Sequence, residues 1–258
     1  MDDCRQEQEH KNGQPSVRIT LWNIAWRRPD SAAGKTILKH ITDQNPDIIC
    51  ITEGYEDFLP ASGHTITSDP DYGYPIKMGR RKVMLWSKNP WSHVDPVGNA
   101  ILPGGRFVRG TTETPISPLD MIGVCIPWKD AHVKTGRKDR TPWQDHLTYL
   151  QGLQSILLGQ KSGHTILLGD FNQRLPRLKQ PKLVHSALIS AIPEGFRVAT
   201  AGEIKGAHSP AIDHLCHSPD LECKDLSALP QYDEFGARLS DHYGLILDIG
   251  LSPLTPTS

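Results

Sequence analysis

Thr165-Ile166-Leu167-Leu168-Gly169-Asp170-Phe171-Asn172 is the stretch on which the fold turns. A continuous apolar run bounded by glycine has the length and composition of a strand covered on both faces. This one ends abruptly in an acid, an aromatic ring and an amide. Asp170 and Asn172 lie two residues apart, so in extended geometry their side chains share one face while Phe171 points to the other. The same residues suit a turn, because Asp and Asn hydrogen-bond their own backbone. The rest of the chain has to decide between a turn and a site.

Working outward, the pattern recurs. Val17 to Trp22 reads as a strand delivering Asn23, and Asp47-Ile48-Ile49-Cys50-Ile51-Thr52-Glu53 as a strand ending in a carboxylate. Between them, Ile37, Leu38 and Ile41 stand at helical spacing, with Ser31 as N-cap and Asn45-Pro46 closing the helix. Further strands are expected over Val83 to Trp86, Phe107 to Thr112, Leu119 to Ile126 and Gly244 to Ile249, with a short one at Phe196 to Val198. Thr141-Pro142 opens a helix striped by Leu147, Leu150, Leu153, Ile156 and Leu157, and Leu183 to Ile192 forms another. Gly63 to Tyr74 reads as a surface loop, and the basic stretch Lys129 to Arg140 as an exposed loop free to meet an anion. Two late segments, Ala211 to Leu215 and Leu239 to Tyr243, each place Asp beside His.

The length of 258 residues allows one large domain, placed at residues 16–251 between a flexible tail over 1–15 and another over 252–258. A formal net charge of -1 supplies no global field toward nucleic acid or an anionic membrane. Five cysteines form an odd set without a C-x-x-C pair, which suits a reduced, cytoplasmic chain. No run approaches the ~18 to 20 apolar residues of a membrane span, so no membrane partner is expected, nor an obligate protein partner.

Asn23, Glu53, Asp170, Asn172, Asp213, Asp241 and His242 all fall at or near expected strand ends, and convergence on one edge would explain them. Carboxylates and amides are hard oxygen ligands that suit Mg²⁺ or Mn²⁺ better than Zn²⁺. A zinc site from His208, His214, Cys216, His217 and Cys223 matches no standard spacing. A His beside a carboxylate has its pKa of ~6.5 raised, fit to protonate a leaving group or stabilise transition-state charge.

The segments Leu21-Trp22-Asn23, Ile51-Thr52-Glu53, Leu168-Gly169-Asp170-Phe171-Asn172, Ile212-Asp213-His214 and Ser240-Asp241-His242 resemble, in order and spacing, the endonuclease/exonuclease/phosphatase superfamily. This group includes DNase I, the abasic-site endonucleases, neutral sphingomyelinases and inositol polyphosphate 5-phosphatases. The resemblance runs from Val17 to Ile249 and implies a DNase I-like four-layer α/β sandwich, two packed mixed β-sheets flanked by helices. It implies that Glu53 holds the divalent metal, with Asn23 beside it and Asp241 completing the shell. Asp170 would orient or deprotonate the attacking water, Asn172 would hold a phosphate oxygen, and His242 paired with Asp213 would stabilise the pentacoordinate transition state. Two positions depart from the family pattern. Ala25 stands where relatives carry an acid, and Cys125 stands where many carry a catalytic His or Tyr.

The activity expected is a Mg²⁺- or Mn²⁺-dependent phosphoesterase using in-line attack of water, first of all a nuclease on DNA, endo or exo. Trp128, Lys134, Arg137, Lys138 and Arg140 are the residues available to bind a strand. The alternatives are a phosphatase or phosphodiesterase on a small phosphorylated metabolite or lipid headgroup, and a catalytically silent binding module. His132 and His146, near the basic loop, read as structural.

Overall fold

The structure, a computed structural model, describes residues 14–159 and 163–253. In chain order the elements are β1 (Val17–Asn23), α1 (Ala32–Thr42), β2 (Ile48–Tyr55), a 3₁₀ turn (Glu56–Phe58), β3 (His64–Thr67), β4 (Arg80–Ser87), β5 (Trp91–Asp95), β6 (Phe107–Thr112) and β7 (Leu119–Cys125). They continue with α2 (Gln144–Leu158), β8 (Thr165–Asp170), α3 (Lys182–Ala191), β9 (Arg197–Val198), β10 (Asp213–His217), β11 (Leu221–Leu229) and β12 (Gly244–Leu251). One six-stranded sheet runs β11-β12-β1-β2-β4-β3 and the other β5-β6-β7-β8-β10-β9.

Each sheet is mixed. A parallel pair lies at its centre, β1–β2 in one and β7–β8 in the other, joined by a helical crossover and flanked by antiparallel strands. Ile19, Leu21, Cys50, Val83 and Leu85 of the first sheet meet Val108, Met121, Ile166, Leu168 and Leu215 of the second in the central core. On the outer faces, α1 sets Ile37 and Ile41 against Trp22, Ile49 and Ile51. Helices α2 and α3 set Leu150, Leu153 and Leu188 against Ile122, Leu167 and Phe171. The result is the four-layer DNase I-like sandwich. It also explains why β8 is apolar without alternation, since Ile166 and Leu168 face the other sheet while Leu167 faces the helices.

Parallel pairing brings the C-terminal ends of β1 and β2, and of β7 and β8, to the same edge of each sheet. Antiparallel β10 starts there too, with Asp213 opposite Asp170, and the segment leading into β12 lies beyond the end of β1.

Several expectations need correcting. The helix expected from Thr141 begins at Gln144, because Trp143 takes a left-handed φ of 70° that no helix admits. Thr141 instead receives the side chain of Gln144, its N and Oγ1 lying 3.0 and 3.3 Å from Oε1. The loop Gly63 to Tyr74 contains β3, an edge strand paired to β4. Strands β5, β10 and β11 were not foreseen, and β11 hides its alternation behind a bulge between Cys223 and Asp225. Strand β4 starts at Arg80, three residues before the expected Val83, which brings Lys82 into the sheet. Of the two expected tails, all but Gln14, Pro15, Ser252 and Pro253 lie outside the described residues. No helix among the described residues is long and apolar enough to cross a membrane.

Candidate active site

Strand β8 can end as it does only because residue 169 is glycine. Its φ is +139°, and a Cβ built there would stand 1.9 Å from the Val124 carbonyl oxygen of β7. The close approach lets Ile126 N donate to Asp170 O at 2.8 Å and Phe171 N to Ile212 O at 2.9 Å. Phe171 then turns into the core, edge-on to His214 with ring centroids 5.3 Å apart. Asp170 is left facing the sheet edge, buried, with three hydrogen bonds to its carboxylate and acceptor capacity left on Oδ1. Oδ2 accepts from Asn23 Nδ2 and Asn172 Nδ2, both at 3.0 Å, and Oδ1 from Asn172 N at 2.9 Å. The other Nδ2 hydrogen of Asn172 goes to Ile126 O at 2.9 Å. Burial pushes the Asp170 carboxyl up, and the charges of Asp213 and Glu53 add to it. Opposed by His242, they still carry it to about 7.

Across the strand pair, His242 Nδ1 meets Asp213 Oδ2 at 2.5 Å. The resemblance implied that Asp213 pairs with His242 and not with its own neighbour His214. The structure selects His242, because His214 on β10 turns inward between Thr200 Oγ1 (2.8 Å) and Gln173 O (2.9 Å). Burial holds His214 neutral, with its pKa down at about 4. Burial also works against a charged His242, but the charge of Asp213 and its hydrogen bond outweigh it and lift the imidazolium to about 10. Ser240 explains its place in the Ser-Asp-His run. Its buried hydroxyl donates to Asn23 O at 2.6 Å and accepts from His242 N at 3.3 Å, latching the loop onto the end of β1. Trp22 Nε1 adds a bond to His242 O at 3.1 Å. Asp241 is exposed beside them.

Glu53 ends the straight part of β2 with a φ of 52°, and Ala25, Trp26 and Asn172 also take positive φ. Three residues that normally avoid this region thus stand at the rim of the first sheet, with Asn172 at that of the second. Glu53 Oε1 is held by Lys82 Nζ at 2.5 Å, and Lys82 is itself buried. Cys125, opposite Asp170 in register, is buried with its thiol pushed up to about 12 by desolvation, so it fills space and carries no thiolate.

The residues expected to bind a strand divide. Trp128 is half-exposed, and Lys134 and Lys138 are exposed. Arg140 is committed to Asp145 at 2.6 Å, and Arg137 contacts Asp139 and Asp145. His132 joins the same cluster, with Nδ1 2.6 Å from Asp145 Oδ2 and Nε2 2.9 Å from Gly73 O. His146 bonds Pro127 O at 2.7 Å and Gln173 Nε2 at 2.8 Å, and burial holds its pKa down at about 4. Sequence reasoning passed over Lys82, Ser240 and Trp26. The Ser-Asp-His run could have pointed to Ser240, whereas nothing in the chain around Lys82 marks it as the partner of Glu53.

Among the described residues, Asp170, Asp213 and His242 offer ligand atoms within 4.8 Å of one another. The imagined zinc set does not gather. Cys216 is buried in the outer core and His214 is bonded to Thr200 and Gln173. Four acids and two amides lie at this rim, and Asp213 Oδ1 is buried with no partner among the described residues. Such a donor set fits a hard divalent cation.

Two sheets packed with this edge of acids, amides and one charged histidine define a DNase I-like phosphoesterase scaffold. The chain belongs to the Endonuclease/Exonuclease/phosphatase family, whose model matches residues 20–242. Members of this family are in general divalent-metal-dependent phosphoesterases and nucleases. No curated protein matches the chain significantly. Among solved structures, an AP endonuclease from Archaeoglobus fulgidus is similar over 90% of this chain and 98% of its own, with a TM-score of 0.66 and 17% identity. A Neisseria 3′ phosphatase bound to product DNA hairpin covers the same shares, with a TM-score of 0.64 and 18% identity. The human Nocturnin catalytic domain has a TM-score of 0.62 at 16% identity, over 92% of this chain and 94% of its own.

Proposed function

We propose that this protein hydrolyses phosphodiester bonds of nucleic acid, DNA first, by metal-dependent in-line attack of water. The observation that carries the reading is the suspension of the Asp170 carboxylate between Asn23 and Asn172, across from the His242–Asp213 ion pair. A base at the end of β8 and an acid in the loop before β12 thus stand at one rim, with pKa values of about 7 and about 10, each in the protonation state its task needs near pH 8.

Asp170 accepts the proton of the attacking water. Asn23 keeps that carboxylate aimed. Both Nδ2 hydrogens of Asn172 are engaged, so Asn172 acts on Asp170 rather than directly on the phosphate. His242, fixed through Nδ1, presents Nε2–H to a phosphoryl oxygen whose charge grows in the transition state, and Asp213 keeps the imidazole charged. A positioned base contributes roughly 10²–10⁴-fold and an aimed donor on developing charge about 10²–10³-fold. Glu53, with Asn23 and Asp241, would hold Mg²⁺ or Mn²⁺. Bound there, the ion neutralises charge on the phosphate and lowers the pKa of water. His242 is a poor ligand as arranged, since its Nδ1 is spent on Asp213 and the ring is cationic. Cys50, Cys125, Cys216 and Cys223 are free thiols, which goes with a reduced, cytoplasmic setting.

The test is incubation of the purified protein with Mg²⁺ or Mn²⁺ and plasmid DNA, RNA oligonucleotides, bis-p-nitrophenyl phosphate or p-nitrophenyl phosphate. Metal-dependent cleavage of DNA and the diester, lost in Asp170→Asn, is the expected result. Cleavage of the monoester alone would make the protein a phosphatase, and turnover of nothing with retained metal binding would make it a binding module.

A further inference from the structure

A cavity of about 450 Å³ opens beside Glu53 and is lined by Trp26, Tyr72, Arg80, Lys82, Arg106 and Trp128 among others. Its charge is lopsided. Lys77, Arg80, Lys82 and Arg106 all line it, against the single carboxylate of Glu53, which Lys82 already occupies. None of the carboxylates among the described residues forms an ion pair with Lys77, Arg80 or Arg106. Arg106 is 2% exposed, and among the described residues its Nε has no hydrogen-bond partner and its Nη1 has only a long 3.4 Å contact to Cys125 O. A buried guanidinium left so poorly matched is costly unless an anion completes it.

The walls are aromatic. Trp26 and Tyr72 stack at 5.9 Å between centroids, with Lys82 Nζ 5.1 and 5.3 Å from their rings and the Arg80 guanidinium 4.6 Å from Trp26. Trp128 stands half-exposed. Rings that stack a base beside cations that hold its phosphate are the chemistry of single-strand recognition. The wall is also braced. Tyr74 stacks on His132 at 4.4 Å, and His132 ties Gly73 to Asp145, which Arg140 holds in turn. The basic loop thus serves the cavity as a strut. The volume lies near the lower part of the ~300–1,000 Å³ range of small-ligand sites, room for a nucleotide and too little for a duplex segment. Arg106 touches Cys125, and Cys125 lies opposite Asp170 in the ladder, so the cavity is about one strand from the base.

Resting on the nuclease reading above, we propose that this cavity seats the terminal nucleotide of a single DNA strand. Its phosphate lies on Arg106 and Arg80 and its base against Trp26 and Trp128, and the enzyme works from strand ends.

Binding is tested first without metal, in EDTA, by quenching of tryptophan fluorescence with deoxyadenosine monophosphate, deoxyadenosine and inorganic phosphate. The nucleotide should bind at least tenfold more tightly than either fragment. Arg106→Gln should erase its advantage over deoxyadenosine, and Trp26→Ala its advantage over phosphate. If melting shows that Arg106→Gln is unfolded, Arg80→Gln at the more open side carries the same test. Equal affinity for nucleotide and nucleoside, or no binding, overturns the proposal. With Mn²⁺ added, a linear single strand should be degraded while a circular one of the same sequence survives. Equal cleavage of both overturns the end preference and leaves the nuclease reading intact. Nucleotide binding without cleavage of either strand overturns the nuclease reading and, with it, the assignment of the bound nucleotide to a strand end.

Discussion

His242 Nδ1 lies 2.5 Å from Asp213 Oδ2, and Asp213 is the residue that faces Asp170 across the β8–β10 ladder. One register therefore sets the general base opposite the carboxylate that charges the acid. Because folding raises the pKa of His242, the ion pair stabilises the protein fully below about pH 6.5, the ordinary imidazole value. That contribution is lost as pH climbs through about 10. In metal-free protein, the His242 ring resonances followed by NMR should titrate near pH 10. In Asp213→Asn the titration should move well below pH 10, since the charge and hydrogen bond of Asp213 are gone and only the charges of Asp170 and Asp241 still oppose burial. The variant should lose about 3 kcal/mol at pH 6, and the gap in urea-unfolding free energy should close toward pH 10.

Lys82 holds Glu53 where a divalent cation would otherwise draw it. Lys82→Met should lower the melting temperature in EDTA, because Glu53 is left half-buried without its partner, and Mn²⁺ should restore it. Calorimetry should show tighter Mn²⁺ binding than wild type by several-fold, and no binding heat in Glu53→Gln. A Lys82→Met protein with weaker Mn²⁺ binding would mean that Glu53 is not the anchor.

Asp170→Asn should reduce kcat by roughly 10²–10⁴-fold with little change in circular dichroism, the range expected for loss of a positioned base. Activity of wild type on bis-p-nitrophenyl phosphate should rise with pH into the neutral range, as the raised Asp170 carboxyl ionises.

Gly169→Ala should cost on the order of 3 kcal/mol, from a Cβ forced against the Val124 carbonyl and from the positive φ. Reduced soluble expression and a lowered denaturant midpoint would report it. For comparison, Leu168→Ala should cost about 2–5 kcal/mol through the cavity left in the central core.

His132→Ala should loosen the wall carrying Gly73 and Tyr74. Deoxyadenosine monophosphate affinity should fall while kcat on the small diester stays within a fewfold of wild type, a split that a general loss of stability would not produce.

Strands that run apolar and stop at a polar residue were legible at Asn23 and Asp170 because each is a local property of a few consecutive residues, whereas β2, expected to end at Glu53, runs on to Tyr55 through its pairing with Arg80 and Arg81. Strands β3 and β11 were not, since edge strands lie half in solvent and their residues answer to neighbours distant in the chain. The early start of β4 escaped for a related reason. Arg80, Arg81 and Lys82 carry no apolar pattern, and they join the strand only because β2 aligns beside them and Glu53 receives Lys82.

By itself the sequence determined the layers and the chemical character of the edge: continuous apolar runs demand burial on both faces, and the acids and amides that end them have nowhere to go but the sheet's rim. Only the tertiary structure decided the partners. Asp213 chose His242 over its own neighbour His214, Arg140 went to Asp145, and Arg106 was buried at the wall of a cavity with no carboxylate of the described residues paired to it. The site's partners come from segments far apart in the chain brought to one rim, and Asp213 faces that rim through the β8–β10 register, where a shift of one residue would turn it to the opposite face.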